Sequence, residues 1–253
     1  MTTISTSILR MLKVLREQKL RYLLMGGQAC VLYGGVQFSN DTDITFFADD
    51  SSLLHLQNAL QELKATVITV PTLDKKYLDQ GLAVHFRCYP SGEENGIRLD
   101  VMTKMRNAPP FAELWERRTT FVLENEYEID VVAIQDLVQI KKTRRDKDWP
   151  MIRCLLESHY ACYRQESSPV QIGFWLQESR TPEILIEIAA THPGPTRELL
   201  LKRPLLQQAL IADLKAIRIG LKDEEMLERE LDDLYWQPLL TEFHRLRKQA
   251  REK

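Results

Sequence analysis

Three aspartates stand beside or within apolar segments that could form neighbouring strands. Asp41 and Asp43 are separated by one residue and lead into an apolar stretch, and Asp100 stands inside another. Alternate side chains of a strand lie on one face, so the Cα atoms of Asp41 and Asp43 would be about 6.6 Å apart on that face. Paired carboxylates repel each other unless a cation lies between them, and Mg²⁺ takes hard oxygen ligands of this kind. The spacing predicts a site for Mg²⁺ or Mn²⁺.

Asp100 supplies a candidate third carboxylate. In the segment Ile97–Met102, Asp100 shares a face with Arg98 and Met102, while Ile97, Leu99 and Val101 take the opposite face. An acidic side chain inside an otherwise apolar strand is costly to bury and needs a partner. We therefore expect Asp100 to lie on a strand next to Asp41 and Asp43.

Two glycines stand where a phosphate group could approach the backbone. Gly26 and Gly27 follow the apolar run 22–25 and precede a short segment of helical character. Glycine lets backbone N–H groups come close to a ligand, and a helix N-terminus favours phosphate. This pattern predicts a phosphate cradle, although an ordinary turn between a strand and a helix has the same appearance.

Other polar clusters have simpler interpretations. A second Asp-x-Asp pair, Asp146 and Asp148, lies in a basic run, where helix capping or local ion pairing explains it better. Within that run, Lys142 and Arg145 could contact a triphosphate or a polynucleotide, but a solvated helix end accounts for them equally well. His85 could likewise face a cleft or lie on an exposed strand.

The first half of the chain alternates between strand-like and helix-like segments. Apolar runs bounded by turn residues predict strands and two hairpins in residues 1–133. A helix with a cap among Ser5, Thr6 and Ser7 is expected first, and a second is expected over about 52–63 with Ser51 or Ser52 as its cap. The predicted strands are 22–25, 44–48, 66–70, 82–88, 97–102, 119–123 and 127–132.

Residues 134–253 have a helical period almost throughout. We expect one helix from Gln135 to about Arg145, another from about Asp148 with Pro150 in its first turn, and further starts at 181–183, 196 and 223. The last region carries an apolar stripe at helical spacing, which predicts core packing. Its members are Leu227, Leu231, Leu234 and Tyr235. The predicted domains are therefore 1–133 and 134–253.

Composition excludes several classes of protein. The formal net charge of -2 offers no general attraction to nucleic acid or to an anionic membrane. No apolar run approaches the roughly 18 residues that cross a bilayer, and basic residues interrupt the first apolar segment, which predicts a soluble, cytoplasmic protein. The four cysteines lack the spacing of a disulfide framework or a zinc site.

The glycines and the first acid pair together resemble the signature of a known fold. Gly-Gly, thirteen residues and then Asp-x-Asp followed by an apolar strand is similar to the nucleotidyltransferase fold shared with DNA polymerase β. The match is closest to a bacterial nucleotidyltransferase-like branch that includes toxin-type members. Its pattern is roughly G-G-x-A-x-x-x-x-G-x-x-R-x-T-x-D-x-D. The matching residues are Gly26, Gly27, Ala29, Gly34, Asp41 and Asp43, with Ser39 in place of Thr and Gln37 in place of Arg.

This resemblance implies a fold and an activity. The expected fold is an α/β (α+β) mixed sheet with flanking helices, followed by a helical C-terminal domain. The expected reaction moves a nucleoside monophosphate from an NTP to an acceptor hydroxyl on a small molecule, an RNA 3′ end or a protein, and releases pyrophosphate. The implied metal ligands and catalytic residues are Asp41, Asp43 and Asp100, and the implied nucleotide contacts are Gly26, Gly27, Ser39, Lys142 and Arg145.

Two alternatives follow from the same residues. Gln37 stands where the branch usually has Arg, so the chain could be a catalytically degenerate member that binds a nucleotide or a partner protein. Asp41-Thr-Asp-Ile-Thr45 also spells the D-x-D-x-T pattern of haloacid-dehalogenase-like phosphatases. That chemistry requires the first Asp directly after a buried strand, whereas here the apolar strand comes after the motif.

Overall fold

A mixed seven-stranded sheet with flanking helices, and a helical region after it, make up this chain. The computed structural model describes residues 4–35, 39–91, 93–123 and 126–252. The predicted fold class is confirmed, because parallel and antiparallel pairs both occur in the sheet and the region after it is helical.

The sheet has the strand order β3-β4-β5-β2-β1-β7-β6. Its strands are β1 (Tyr22–Met25), β2 (Thr42–Phe46), β3 (Thr66–Val67), β4 (Val84–Cys88), β5 (Ile97–Met102), β6 (Thr119–Val122) and β7 (Glu128–Val131). Strand β2 lies at the centre, where it pairs antiparallel with β1 and parallel with β5. Both predicted hairpins are confirmed, since β4 pairs antiparallel with β5 and β6 with β7.

Twelve α-helices occur in the described part of the chain. They are α1 (Thr6–Glu17), α2 (Gly26–Leu32), α3 (Asp50–Glu62), α4 (Lys75–Gln80), α5 (Phe111–Arg117), α6 (Ile134–Ile140), α7 (Asp148–Tyr163), α8 (Pro169–Glu178), α9 (Pro182–Thr191), α10 (Pro193–Glu198), α11 (Leu206–Leu210) and α12 (Leu214–Arg251).

The chain divides into two compact units. Unit 1 comprises the described residues within Met1–Leu32, Val36–Ile140 and Leu234–Lys253, and it contains the whole sheet. Unit 2 comprises Tyr33–Gly35 and Lys141–Asp233, and its elements are helical. The last part of α12 therefore belongs to unit 1. The domain boundary predicted at residue 133 stays a prediction.

Local signals correctly predicted several helix ends. The Ser5 hydroxyl accepts a hydrogen bond from the Ile8 backbone N–H, so Ser5 caps α1, and the apolar face of that helix is buried. Helix α7 begins at Asp148 with Pro150 in its first turn. Helix α9 begins at Pro182, directly after Thr181.

Three predicted helix boundaries are wrong. Asp49 rather than Ser51 or Ser52 caps α3, because the Asp49 carboxylate accepts from the Ser52 backbone N–H at 2.7 Å. Helix α6 ends at Ile140 instead of continuing to about Arg145. Helix α12 begins at Leu214 rather than near Asp223, since the Asp213 carboxylate accepts from the Ala216 N–H.

The predicted helix start at 196 is also wrong. The predicted buried stripe is wrong for its three leucines, whereas its fourth member, Tyr235, packs against the cluster of Leu82, Leu239 and Leu246. Helix α10 already begins at Pro193. On α12, Leu227 is 57% exposed and Leu234 is 65% exposed. The buried side of α12 in unit 2 instead carries Ile217 and the acid Asp232, which is 2% exposed and accepts from the Arg144 backbone N–H. The helical period is confirmed, but the inward face in unit 2 carries Ile217, Leu221 and Asp232 instead of these leucines.

None of the described helices combines the length and the apolar character that crossing a membrane requires.

The cap of α3 provides a test of the corrected boundary. We expect Asp49→Ala to lower the free energy of unfolding by about 1 kcal/mol, because one N–H group of the first turn loses its acceptor. The hydrogen bond from Ser52 also holds the pKa of Asp49 below its ordinary value. A depressed folded-state pKa means that the stabilisation is present above the unfolded pKa and disappears as the pH falls through the folded value. Urea unfolding at neutral and acidic pH measures both effects.

Ser51→Ala is the matched control, since Ser51 lies inside the first turn of α3 and is exposed. It should leave the free energy of unfolding nearly unchanged. If Ser51→Ala lowers the free energy of unfolding as much as Asp49→Ala does, a serine rather than Asp49 caps α3.

Candidate active site

Two of the predicted carboxylates lie side by side on the central strands. Asp43 of β2 and Asp100 of β5 are direct partners in the parallel register. Neighbouring strands are about 4.8 Å apart, so the two side chains leave the same row of the sheet at that separation. Asp43 is half-buried, and Asp100 is only 7% exposed. Asp41 is exposed and comes directly before the first residue of β2.

The glycine pair packs closely against this row. Gly26 has φ +66°, and a Cβ atom added to it would overlap the carboxylate of Asp43. A Cβ atom on Gly27 would overlap the side chain of Ser39, whose hydroxyl donates to the Asp41 carbonyl at 3.3 Å. Only glycine therefore allows the backbone to lie this close to the acidic side chains. The structure thus brings together five predicted site residues, which are Gly26, Gly27, Ser39, Asp41 and Asp43.

Two basic side chains hold Asp100 from different directions. Arg98 Nε donates to Asp100 Oδ1 at 2.8 Å, and its Nη2 donates to Oδ2 at 2.9 Å. His85 Nδ1 lies 2.8 Å from the same Oδ1, because His85 of β4 is the antiparallel register partner of Asp100. Burial alone would raise the pKa of Asp100, but the hydrogen bonds from His85 and Arg98 outweigh it and lower the pKa. Asp100 is therefore ionised at neutral pH.

Arg98 connects the three acids electrostatically. Its pKa is raised first by the hydrogen bond to Asp100 and also by the charges of Asp41 and Asp43. The three carboxylates therefore share one region of negative potential around a single guanidinium. Strand alternation placed Arg98 on the face of Asp100 without indicating that Arg98 belongs to the site. Its position two residues before an acid on the same strand could have indicated this role.

Lys142 and Arg145 lie in unit 2 and have acidic partners there. Lys142 Nζ is 2.8 Å from Glu178, and both side chains are mostly buried. Arg145 Nε is 2.8 Å from Asp148, whose side chain is fully buried. Arg145 and Asp148 thus form the local ion pair that was predicted for the second Asp-x-Asp pair, whereas the acid that pairs with Lys142 belongs to α8. Their contact with a nucleotide stays a prediction, and Gln37 lies outside the described residues.

The acidic row has the donor chemistry that a magnesium ion requires. Its carboxylate oxygens are hard ligands, and the backbone of Gly26 lies directly against Asp43 because Gly26 has no Cβ atom. Within the described ranges, no group of three or more His, Cys, Asp or Glu side chains is arranged to hold a metal ion. Mg²⁺ commonly takes one or two carboxylates and completes its shell with water and substrate phosphates. The residues therefore fit an ion whose remaining ligands are water molecules or substrate phosphates.

Comparisons with known proteins give matches of low similarity among solved structures. No protein-family model matches this chain, and no curated protein matches its sequence. Among solved structures, it is similar to a candidate nucleotidyltransferase from Helicobacter pylori, with 17% identity and a TM-score of 0.39 over 91% of this chain and 98% of that one. It is also similar to JHP933 from Helicobacter pylori, with 17% identity and a TM-score of 0.40 over 94% and 99% of the two chains. Similarity at this level supports no conclusion about activity.

Proposed function

We propose that this protein is a metal-dependent nucleotidyltransferase, which moves a nucleoside monophosphate from an NTP to an acceptor hydroxyl. The observation that carries this proposal is the pairing of Asp43 with Asp100 across β2 and β5. Because Gly26 has no Cβ atom, its backbone lies directly against Asp43. Carboxylates can bind a divalent cation. A backbone that lies close to them can contact the phosphates that this cation neutralises. Mg²⁺ or Mn²⁺ would be held by one or two of the carboxylates of Asp41, Asp43 and Asp100 together with water and phosphate oxygens, and it would offset the charge of the triphosphate.

The reaction forms one bond to phosphorus and breaks another. The acceptor oxygen attacks the α-phosphorus in line, the bond from that phosphorus to the bridging oxygen breaks, and pyrophosphate leaves with the electron pair. Asp100 would hold an ion beside the acceptor hydroxyl and so help its deprotonation, and the proton passes to water. Gly26 and Gly27 offer backbone N–H groups to the β- and γ-phosphates, and Ser39 offers a hydroxyl. Lys142 and Arg145 are candidates for further charge neutralisation.

One observation favours a second candidate function. Arg98 already forms two hydrogen bonds with Asp100, so a fixed cation partly satisfies the third carboxylate. A site of this kind can bind a nucleotide without transferring it, which supports a catalytically degenerate nucleotide- or partner-binding protein. The phosphatase alternative loses support, because Asp41 precedes β2 instead of following a buried strand.

Label transfer tests the proposal directly. The protein is incubated with Mg²⁺ and each α-labelled NTP, ATP included, and with small-molecule, RNA and protein fractions of a cell extract as acceptors. We expect label on one fraction and equimolar pyrophosphate. Nucleotide binding without transfer would support the degenerate alternative. Release of inorganic phosphate from phosphomonoesters without pyrophosphate would instead support a phosphatase.

A further inference from the structure

The imidazole of His85 lies against the carboxylate that β5 contributes to the site. His85 is half-buried, and its Nδ1 is 2.8 Å from Asp100 Oδ1 and 3.2 Å from Arg98 Nη2. One ring nitrogen cannot donate to the acid and accept from the guanidinium at the same time. The shorter separation, and the negative charge of the acceptor, assign the Nδ1 proton to Asp100.

The three hydrogen bonds to Asp100 leave its two oxygens unequal. A carboxylate has about four lone-pair sites, two on each oxygen. Oδ1 accepts from His85 Nδ1 and from Arg98 Nε, so both of its sites are used. Oδ2 accepts from Arg98 Nη2, and among the described residues no second donor reaches it. Oδ2 is therefore the oxygen with capacity for a cation.

We propose that His85 is a positioning residue, which fixes the Asp100 carboxylate so that Oδ2 faces the cation. This inference rests on the proposed function, because it assigns His85 a purpose only if Asp100 binds a metal ion. Hydrogen-bond partners behind a metal ligand orient that ligand and commonly alter metal affinity about 10- to 100-fold. His85 acts through Asp100 and does not touch the reacting atoms.

His85 suits this role better than Arg98 does. A divalent ion close to Asp100 repels a guanidinium, and Arg98 is already close to the charges of Asp41 and Asp43. An imidazole needs no positive charge to donate from Nδ1, so it can keep its hydrogen bond after a cation arrives. The strand pairing also holds His85 in place, since all of β4 pairs with residues 97–101 of β5.

Mn²⁺ binding without nucleotide, measured by electron paramagnetic resonance of the free ion, tests the inference. We expect His85→Ala to weaken Mn²⁺ binding about 10- to 100-fold. His85→Asn should bind within about threefold of the wild-type protein, because the Asn side-chain nitrogen takes the place of Nδ1 and can donate to Asp100. Arg87→Ala is the matched control, since Arg87 is exposed on the same face of β4. It should bind Mn²⁺ like the wild type.

The variants distinguish a failure of the role inferred for His85 from a failure of the proposed function. Wild-type affinity in His85→Ala, or an Asn variant no better than the Ala variant, would overturn the role of His85. If Asp43→Asn weakens Mn²⁺ binding in the same series, the proposed function survives that result. If the wild-type protein binds no Mn²⁺, or Asp43→Asn binds it normally, the proposed function itself fails. Thermal unfolding of each variant shows whether a lost affinity reflects a lost fold.

Discussion

Asp43→Asn is expected to reduce Mg²⁺-dependent transfer of labelled nucleotide at least about a thousand-fold, which corresponds to roughly 4 kcal/mol of transition-state stabilisation. Asp43 lies beside Asp100 in register and directly against Gly26, so its carboxylate is central to the acidic row. Asn keeps the shape of the side chain but removes its charge and one of its two anionic oxygens. The measurement is the initial rate of label incorporation at saturating Mg²⁺.

Asp146→Asn is the matched control for that variant. Asp146 belongs to the other Asp-x-Asp pair, its side chain is 98% exposed, and it forms an ion pair with Arg229 in unit 2. An exposed ion pair contributes little to stability, and this one is not part of the acidic row. We expect unchanged transfer. Equal activity of Asp43→Asn and the wild-type protein would remove Asp43 from catalysis.

Gly26→Ala is expected to have the second large effect, a loss of about 2 to 4 kcal/mol in the free energy of unfolding. The backbone of Gly26 has φ +66°, a left-handed conformation that disfavours a residue with a Cβ atom. That atom would also overlap the Asp43 carboxylate, so the acid must move or the helix α2 must shift. Urea unfolding measures the stability, and nucleotide transfer should fall together with it.

Gly194→Ala separates this effect from the general consequences of replacing glycine. Gly194 lies in α10, and a Cβ atom added there meets nothing within 4 Å. Alanine has less freedom in the unfolded chain, so the variant should be more stable by about 0.4 to 1 kcal/mol. If Gly26→Ala were as stable and active as the wild type, the close packing of Gly26 on Asp43 would be wrong.

Much of the sheet could be predicted from local patterns. The apolar run of β1 and the two hairpins follow from strand-like segments separated by turn residues, and Ser5 and Pro150 identify helix starts. Alternation also placed Arg98 and Asp100 on one face of β5, because the side-chain period of a strand is a local property. These features depend on residues that are close together in the chain.

The leucines of α12 show where local patterns fail. Leu227 and Leu234 have the spacing of a core stripe, yet both are largely exposed. The inward face combines the buried Ile217 and Leu221 with the half-buried acid Glu224, which is held by Arg180 and Arg203. An acid can be buried when distant basic residues pair with it, and a hydrophobic pattern carries no information about those partners.

The sequence by itself therefore determined the strands, the hairpins, the glycine pair and the presence of three acids with a common chemistry. Only the tertiary structure decided that Asp43 is aligned with Asp100, that His85 and Arg98 hold that carboxylate, and which face of α12 packs inward. The reason is that the register between strands and the pairing of charges join residues far apart in the chain. Their energies depend on the whole packed arrangement, whereas the period of a helix or strand depends on its own residues.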